Sequence, residues 1–399
     1  MVRSGSLSSI SVLHVTPYYE WAWAYGGIPR VVSDQVRGLA QGGHRITVAT
    51  TDACDAQRRH PDHAPTALDG SAGERILVSR NLSNALAYRF QFFVPRRFAD
   101  SLDQAMGSVQ VAHLHGFHHL PGVIAARRLR ARSVPYVLQP NGTLPRIERR
   151  RAAKLVFDVV LGNAVARHAA VFVAVTNVER LQLEGRGIAG DRIAVVPNPV
   201  DTTMAPSVAG MRAQRERWGF GDAPVAIYLG QLSPRKGVDH LIRALPLVAD
   251  GSLKLVVAGS DMGMRPRLER LVENLDLRDR VRFVGVVPGQ ERLDALGAAD
   301  VAAYPSREEI FGLVPLEAIL CGTPVVVCDD SGCGEVVTRV GGGHVVPHGD
   351  PSALASALER RLPDTVLAEA RNRIRRFAGR SAVAAALEAV YRPLIERRT

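Results

Sequence analysis

Short runs of β-branched and aliphatic residues, bounded by Gly, Pro or Asn, recur along the chain. Between most of them lie stretches whose apolar residues return every three or four positions. The first pattern predicts strands and the second helices. Six strands are expected in the first half: ISVLHVTP from Ile10, HRITVATT from His44, VQVAHLHG from Val109, VPYVLQPNG from Val134, AVFVAVT from Ala170 and RIAVVPNP from Arg192. Six more follow: APVAIYLG from Ala223, LKLVVAGS from Leu253, RVRFVGVV from Arg280, ADVAAYPS from Ala299, TPVVVCDD from Thr323 and GHVVPHGD from Gly343. IPRVVSDQVRGLAQGG and VDHLIRALPLVA are typical of the helical spacers. Strands that are apolar almost throughout and alternate with helices indicate parallel sheets covered on both faces.

The fold class expected is therefore α/β, with two doubly wound, Rossmann-like domains. The length of 399 residues agrees, being too great for one ordinary core. The Pro-rich, polar stretch PNPVDTTMAP, Pro197 to Pro206, sets the boundary, giving domains of 1–200 and 201–379. The last helical pattern, SAVAAALEAVYRPLIE, has no strand of its own to cover in the second sheet, so residues 380–399 are expected to return to the first domain. Ligands of open parallel sheets bind at the carboxyl ends of the strands, so two such domains facing each other would enclose a cleft lined by strand-end loops.

Composition narrows the class. With 46% hydrophobic and 22% charged residues the chain is a folded protein, not a disordered one. No apolar run is long enough to span a membrane and the amino terminus lacks a signal-peptide core, which leads to an expected cytoplasmic location. Cys54, Cys321, Cys328 and Cys333 contain no CxxC pair and make neither a disulfide framework nor a zinc site. The net charge of +11 is uneven: residues 1–200 hold 24 Lys+Arg against 14 Asp+Glu, and residues 201–399 hold 26 against 25. The basic first half admits nucleic acid, an anionic membrane face or a phosphorylated acceptor as partner.

The most specific segment is YPSREEIFGLVPLEAILCGTPVVV, residues 304–327. A strand end, a loop with Glu308 and Glu309, and a helix starting near Gly312 with Pro315 in its first turn would aim the amides of Phe311, Gly312 and Leu313 at a phosphate or a sugar hydroxyl. Taken alone, Glu309 reads as a carboxylate favoured by the helix dipole and Glu317 as part of a solvated face. The segment as a whole resembles the Glu-x7-Glu signature of the retaining glycosyltransferases of family four, E-G-F-G-L-x-x-x-E-A followed by G-x-P-V-V. Glu309, Phe311, Gly312, Glu317, Ala318, Gly322, Pro324 and Val325 match it in register. The resemblance implies that Glu309 meets donor-sugar hydroxyls and that Glu317 accepts hydrogen bonds from the nucleotide ribose, roles that suit an acceptor-only carboxylate.

The resemblance runs along nearly the whole chain. YGGIPRVVSDQVRGLAQGGHRITVAT is similar to the family's Gly-Gly loop, helix and strand, and places Gly26 and Gly27 where a backbone approaches the donor. YLGQLSPRKGVDHLIRAL is similar to G-R-L-x-x-x-K-G-x-D, which implies that Lys236 holds the donor diphosphate. The family's arginine in that loop is Gln231 here, and Arg235 is either its substitute or a plain surface residue. VAHLHGFHHLPG resembles the family's H-x-H-G strand end, which puts His115 against the donor sugar. His113 is then a core or supporting residue, and His118 and His119 are surface residues. A metal site at His113 and His115 is the competing reading, and no carboxylate or cysteine lies nearby in sequence to complete it. PNPVD at 197–201 and the loop with Glu335 read as architectural, and Thr176 with Glu179 as a helix capping box.

The resemblance therefore implies a GT-B enzyme that moves a sugar, with retention, from a nucleotide diphosphate sugar to an acceptor hydroxyl. The first domain would bind the acceptor and the second the nucleotide sugar. No cofactor is expected, and no metal, since the chain has no Asp-x-Asp. Arg146, Arg149, Arg150, Arg151 and Lys154 beside an apolar stretch read as a solvated helix end or as a contact with an anionic membrane carrying a lipid-linked saccharide acceptor. Glycosylation of a soluble small molecule and a nucleotide-sugar epimerase of the same architecture are the alternatives. Nucleic-acid binding has no aromatic-interleaved basic motif behind it, and a Rossmann dehydrogenase is disfavoured because PYYEWAWAYGGIP is not GxGxxG.

Overall fold

The computed structural model describes residues 9–61, 67–144 and 151–398. The chain divides into two compact units, Met1–Pro199 with Arg380–Thr399, and Val200–Gly379. Unit 1 is built on β1 (Ser11–Val15), β2 (Arg45–Thr51), β3 (Ala67–Asp69), β4 (Arg75–Ser79), β5 (Val111–His115), β6 (Tyr136–Gln139), β7 (Val171–Ala174) and β8 (Ile193–Val195). Its sheet order is β3-β4-β2-β1-β5-β6-β7-β8, all parallel except the antiparallel edge strand β3. Unit 2 carries β9 (Val225–Leu229), β10 (Lys254–Ala258), β11 (Val281–Gly285), β12 (Val301–Tyr304), β13 (Val325–Cys328) and β14 (Gly343–Val346), in the parallel order β11-β10-β9-β12-β13-β14. β3 and β4 were not among the expected strands, since the only apolar residues of β4 are Ile76, Leu77 and Val78, too short a run to stand out.

The strands are buried on both faces, as parallel strands between helices must be. In unit 1 one face of the sheet, including Val12, Val48, Val111 and Val137, packs under the helices Ile28–Gln41 and Arg380–Glu396. Val383, Leu387, Tyr391 and Leu394 recur at helical spacing and close that face, and Arg380 is ion-paired to Asp34 at 2.6 Å. The carboxyl-terminal helix thus serves the first sheet. Within unit 2 its two ends are tied together, the amide of Val200 donating to the carbonyl of Ala378 at 2.8 Å.

Strand order decides where chemistry can gather. In unit 2 the chain runs outward from β9 to β10 and β11, then returns to lay β12 against the other side of β9. The loops after β9 and β12 therefore leave neighbouring strands in opposite directions, which opens a crevice at this reversal. In unit 1 the same reversal lies between β1 and β5.

Candidate functional site

The loop after β9 carries Gln231, Arg235 and Lys236, the last two in a single 3-10 turn, Pro234–Lys236. Gly237 follows at φ +66°, and a Cβ there would collide with the carbonyl oxygen of Pro305 in the loop after β12. The two loops are thereby clamped together. Lys236 Nζ donates to the Tyr304 hydroxyl at 2.7 Å and to Glu309 Oε2. The same hydroxyl donates to Glu309 Oε2 at 3.1 Å, and Ser306 Oγ lies 3.4 Å from that oxygen. The ammonium also sits 4.9 Å from the centre of the Tyr304 ring.

Lys236 and Glu309 side chains are 11% and 20% exposed, so the pair is enclosed with a narrow opening. Burial works to raise the Glu309 carboxyl, yet the charge and hydrogen bond of Lys236, the charge of Arg235 and the Tyr304 hydroxyl together hold it below the usual range. Burial first, and then the Glu309 charge, push the Tyr304 hydroxyl well up, so it stays neutral and bridges anion and cation. Gln231 is tethered through its backbone, its carbonyl accepting from the Tyr228 hydroxyl at 2.9 Å. Tyr228 stacks on Tyr304 with ring centroids 6.1 Å apart.

The helix Leu313–Cys321 begins at Gly312, φ +79°, with no side-chain cap, so its first turn offers backbone donors. A Cβ at Gly312 would collide with Cys333 Sγ, which fixes glycine at this point. Phe311 is buried at the same turn. Glu317 is also buried, contrary to a solvated helix face, and its carboxylate is ion-paired to Arg292 from the helix Gly289–Ala298. Tyr304, Tyr228 and Arg292 were not singled out in the sequence. Tyr304 had a weak signal, a polar aromatic closing a strand before the Glu motif; Arg292 had none.

In unit 1 Gly26, at φ +97°, and Gly27 lead into the helix Ile28–Gln41. His115 ends β5 but is fully buried. Its Nε2 is 2.9 Å from His14 Nδ1, and its ring stacks on that of His113 at 4.2 Å. Its ring is enclosed beside those of His14 and His113. His113 Nδ1 meets the Tyr391 hydroxyl at 2.6 Å. Burial foremost, then the neighbouring imidazoles, hold His113 and His115 well below the ordinary histidine value, and burial takes His14 to about 3.

His118 and His119 are not surface residues either. His119 is buried as the cap of the helix Leu120–Ala131: its Nδ1 accepts from the Gly122 amide at 3.0 Å, so Nε2 carries the proton toward the His115 carbonyl, 2.8 Å away. His118 bridges the Thr143 carbonyl and the buried Asp158. Thr176 caps its helix by accepting from the Glu179 amide at 3.2 Å.

One nitrogen each of His14, His113 and His115 falls within 4.8 Å of the others, so a metal has to be weighed with His14 as the missing third ligand. The His14 and His115 rings lie within 14° of parallel and share a hydrogen bond. The set fits a hydrogen-bonded imidazole stack. Arg146, Arg149 and Arg150 lie outside the described residues.

Residues 25–204 match the family described as Glycosyltransferase Family 4, and residues 211–380 match Glycosyl transferases group 1. A D-inositol 3-phosphate glycosyltransferase of Xylanimonas cellulosilytica is 32% identical, over 94% of this chain and 93% of the relative. A GDP-mannose-dependent alpha-(1-6)-phosphatidylinositol monomannoside mannosyltransferase of Mycolicibacterium smegmatis is 37% identical over 42% of this chain and 47% of its own. Among solved structures, Anabaena HepE in complex with UDP and glucose superposes with a TM-score of 0.74 at 18% identity, over 96% of this chain and all of that one. The two parallel-sheet units thus have the GT-B fold.

Proposed function

The chain belongs to the family 4 glycosyltransferases, and from that premise we propose that it moves a sugar, with retention of configuration, from a nucleotide diphosphate sugar to an acceptor hydroxyl. The observation that carries this reading is the enclosed Lys236–Tyr304–Glu309 constellation beside the uncapped helix start at Gly312. Departure of a nucleoside diphosphate adds one negative charge to those already on its phosphates. Lys236 meets them as a fixed cation, with the first-turn amides around Phe311, Gly312 and Leu313. Arg235 adds a second cation in place of the arginine that Gln231 replaces. Glu309 accepts from a sugar hydroxyl, and Glu317, oriented by Arg292, accepts from the ribose. Gly26 and Gly27 give unit 1 a bare backbone for the substrate. The chemistry proposed runs without a metal.

For the acceptor we propose a lipid-linked saccharide at the inner membrane face, in cell-surface polysaccharide or glycolipid assembly. Two observations support it: the net +10 of residues 1–200, and the mycobacterial relative named for a phosphatidylinositol mannoside substrate. The relative named for D-inositol 3-phosphate favours a soluble acceptor as the second reading. The test of the donor site is thermal shift of the full chain against a panel of UDP, GDP and ADP sugars. One donor class should raise the melting temperature, and Lys236→Ala should abolish the shift while lowering turnover on the order of 100-fold. A folded Lys236→Ala protein with an undiminished shift would refute the site.

A further inference from the structure

In unit 1 the residues from Leu82 to Phe92 reverse the usual order of inside and outside. The short helix Asn84–Phe90 turns Asn84 and Ala87 inward. Leu86 and Phe90, four residues apart and so on one face, are 44% and 49% exposed. Gln91 ends the helix in a left-handed conformation, φ 53°. After it Phe93 enters a small core with Tyr18, Ala22, Ala53 and Ala87, and Phe92 points out, 52% exposed. Leu82, before the helix, is 52% exposed as well. That small core is closed without these four side chains.

Exposed arginines flank the apolar residues along the chain: Arg80, Arg89, Arg96 and Arg97, the last ion-paired to Asp100 at 3.1 Å. The Arg89 guanidinium lies 5.9 Å from the centre of the Phe90 ring. From residue 75 to residue 99 the chain holds five arginines and no Asp or Glu. Aliphatic and aromatic groups interspersed with cations are the composition of a surface that lies in a lipid interface. A second copy of this chain across the patch would set arginine against arginine. A bound sugar would call for hydrogen-bonding groups among the rings, and Leu82, Leu86, Phe90 and Phe92 offer none.

We propose that the helix Asn84–Phe90 and the segment after it to Arg97 dock unit 1 on an anionic lipid bilayer, with Leu86, Phe90 and Phe92 entering the headgroup boundary. The inference rests on the reading of a membrane-borne acceptor and names the surface that meets the membrane, a different segment of the sequence from the basic run at Arg149–Arg151.

The test is sedimentation of the full chain with vesicles of phosphatidylcholine, with and without phosphatidylglycerol, at low and high salt. The native protein should bind only the anionic vesicles and release at high salt. Phe90→Ser with Phe92→Ser should weaken binding at least about tenfold. Arg89→Gln with Arg96→Gln should weaken it about thirty-fold at low salt, each basic residue near the lipid being worth about 1 kcal/mol. Circular dichroism and a UDP thermal shift verify each variant's fold and donor site. Native-like vesicle binding by the folded Phe90/Phe92 variant would overturn this surface, and would leave the membrane-borne acceptor standing if Arg149→Gln, Arg150→Gln and Arg151→Gln together remove the binding. Absence of binding by the native chain to either vesicle would overturn both, while the nucleotide shift still reports on the donor site.

Discussion

Glu309→Gln separates two jobs that one carboxylate holds, and they are expected to move in opposite directions. In the ligand-free chain Glu309 occupies Lys236, the cation that a leaving diphosphate needs. The amide keeps the shape and can still accept from the Tyr304 hydroxyl, but the charge is gone. At about 4 Å and an effective dielectric of about 20 the pair attracts by about 4 kcal/mol. Desolvation of two enclosed ions takes back much of that, leaving about 1 to 2 kcal/mol that a competing anion must overcome. A nucleoside diphosphate without sugar should therefore bind Glu309→Gln about tenfold more tightly than the native protein. Turnover of the nucleotide sugar should fall on the order of 100-fold, because the sugar hydroxyl loses a charged acceptor. Without nucleotide the variant should also melt earlier, Lys236 having lost its counter-charge, and nucleotide should restore the melting temperature. Titration calorimetry with UDP, GDP and ADP, beside thermal melts of both proteins, measures each quantity. A folded Glu309→Gln protein that binds the preferred diphosphate no better than the native one would refute the competition argument.

Three further outcomes are expected. His14, buried and held at about 3 against 6.5 in the unfolded chain, stays neutral in the fold while the unfolded chain protonates, so its stabilising contribution is whole above pH 6.5 and lost as pH falls toward 3. The loss is about 2 kcal/mol by about pH 5. Glu179, raised to about 7 by burial, runs the other way, so the measurement is the difference in acid dependence of β5 amide exchange between the native chain and His14→Leu; equal slopes would refute the neutral stack. Arg292→Leu should strand the buried Glu317 carboxylate and destabilise unit 2 by about 3 kcal/mol in denaturant melts, with Arg292→Lys recovering part of it; a change within error would show that the pair orients nothing. Turnover should survive EDTA, because Lys236 and Arg235 are the expected counter-charges and the chain has no Asp-x-Asp; loss restored by manganese would count against it.

The alternation of apolar strands with helical spacers was enough to read two doubly wound sheets, because burial on both faces imposes a residue pattern that needs no knowledge of neighbours. Lys236, Gly312 and Glu317 were legible through their resemblance to a family motif; by local pattern alone Glu317 read as part of a solvated face, which its burial corrects. The identity of the partners was not legible. Lys236 meets Glu309 across 73 residues and Arg292 meets Glu317 across 25, and neither distance follows from any local period. The first depends on β12 lying beside β9, a choice of strand order made when the whole sheet assembles, and the second on the packing of the two helices that flank β12. His14 and Tyr391 joined His113 and His115 in the same way, through the pairing of β1 with β5 and the return of the last helix to the first sheet. Tertiary structure likewise turned His115 and His119 inward, and set Phe90 and Phe92 outward over a core already closed by Phe93. Periodicity fixes which face of an element is apolar; only assembly decides whether that face finds a partner, since packing space is shared among elements far apart in the chain.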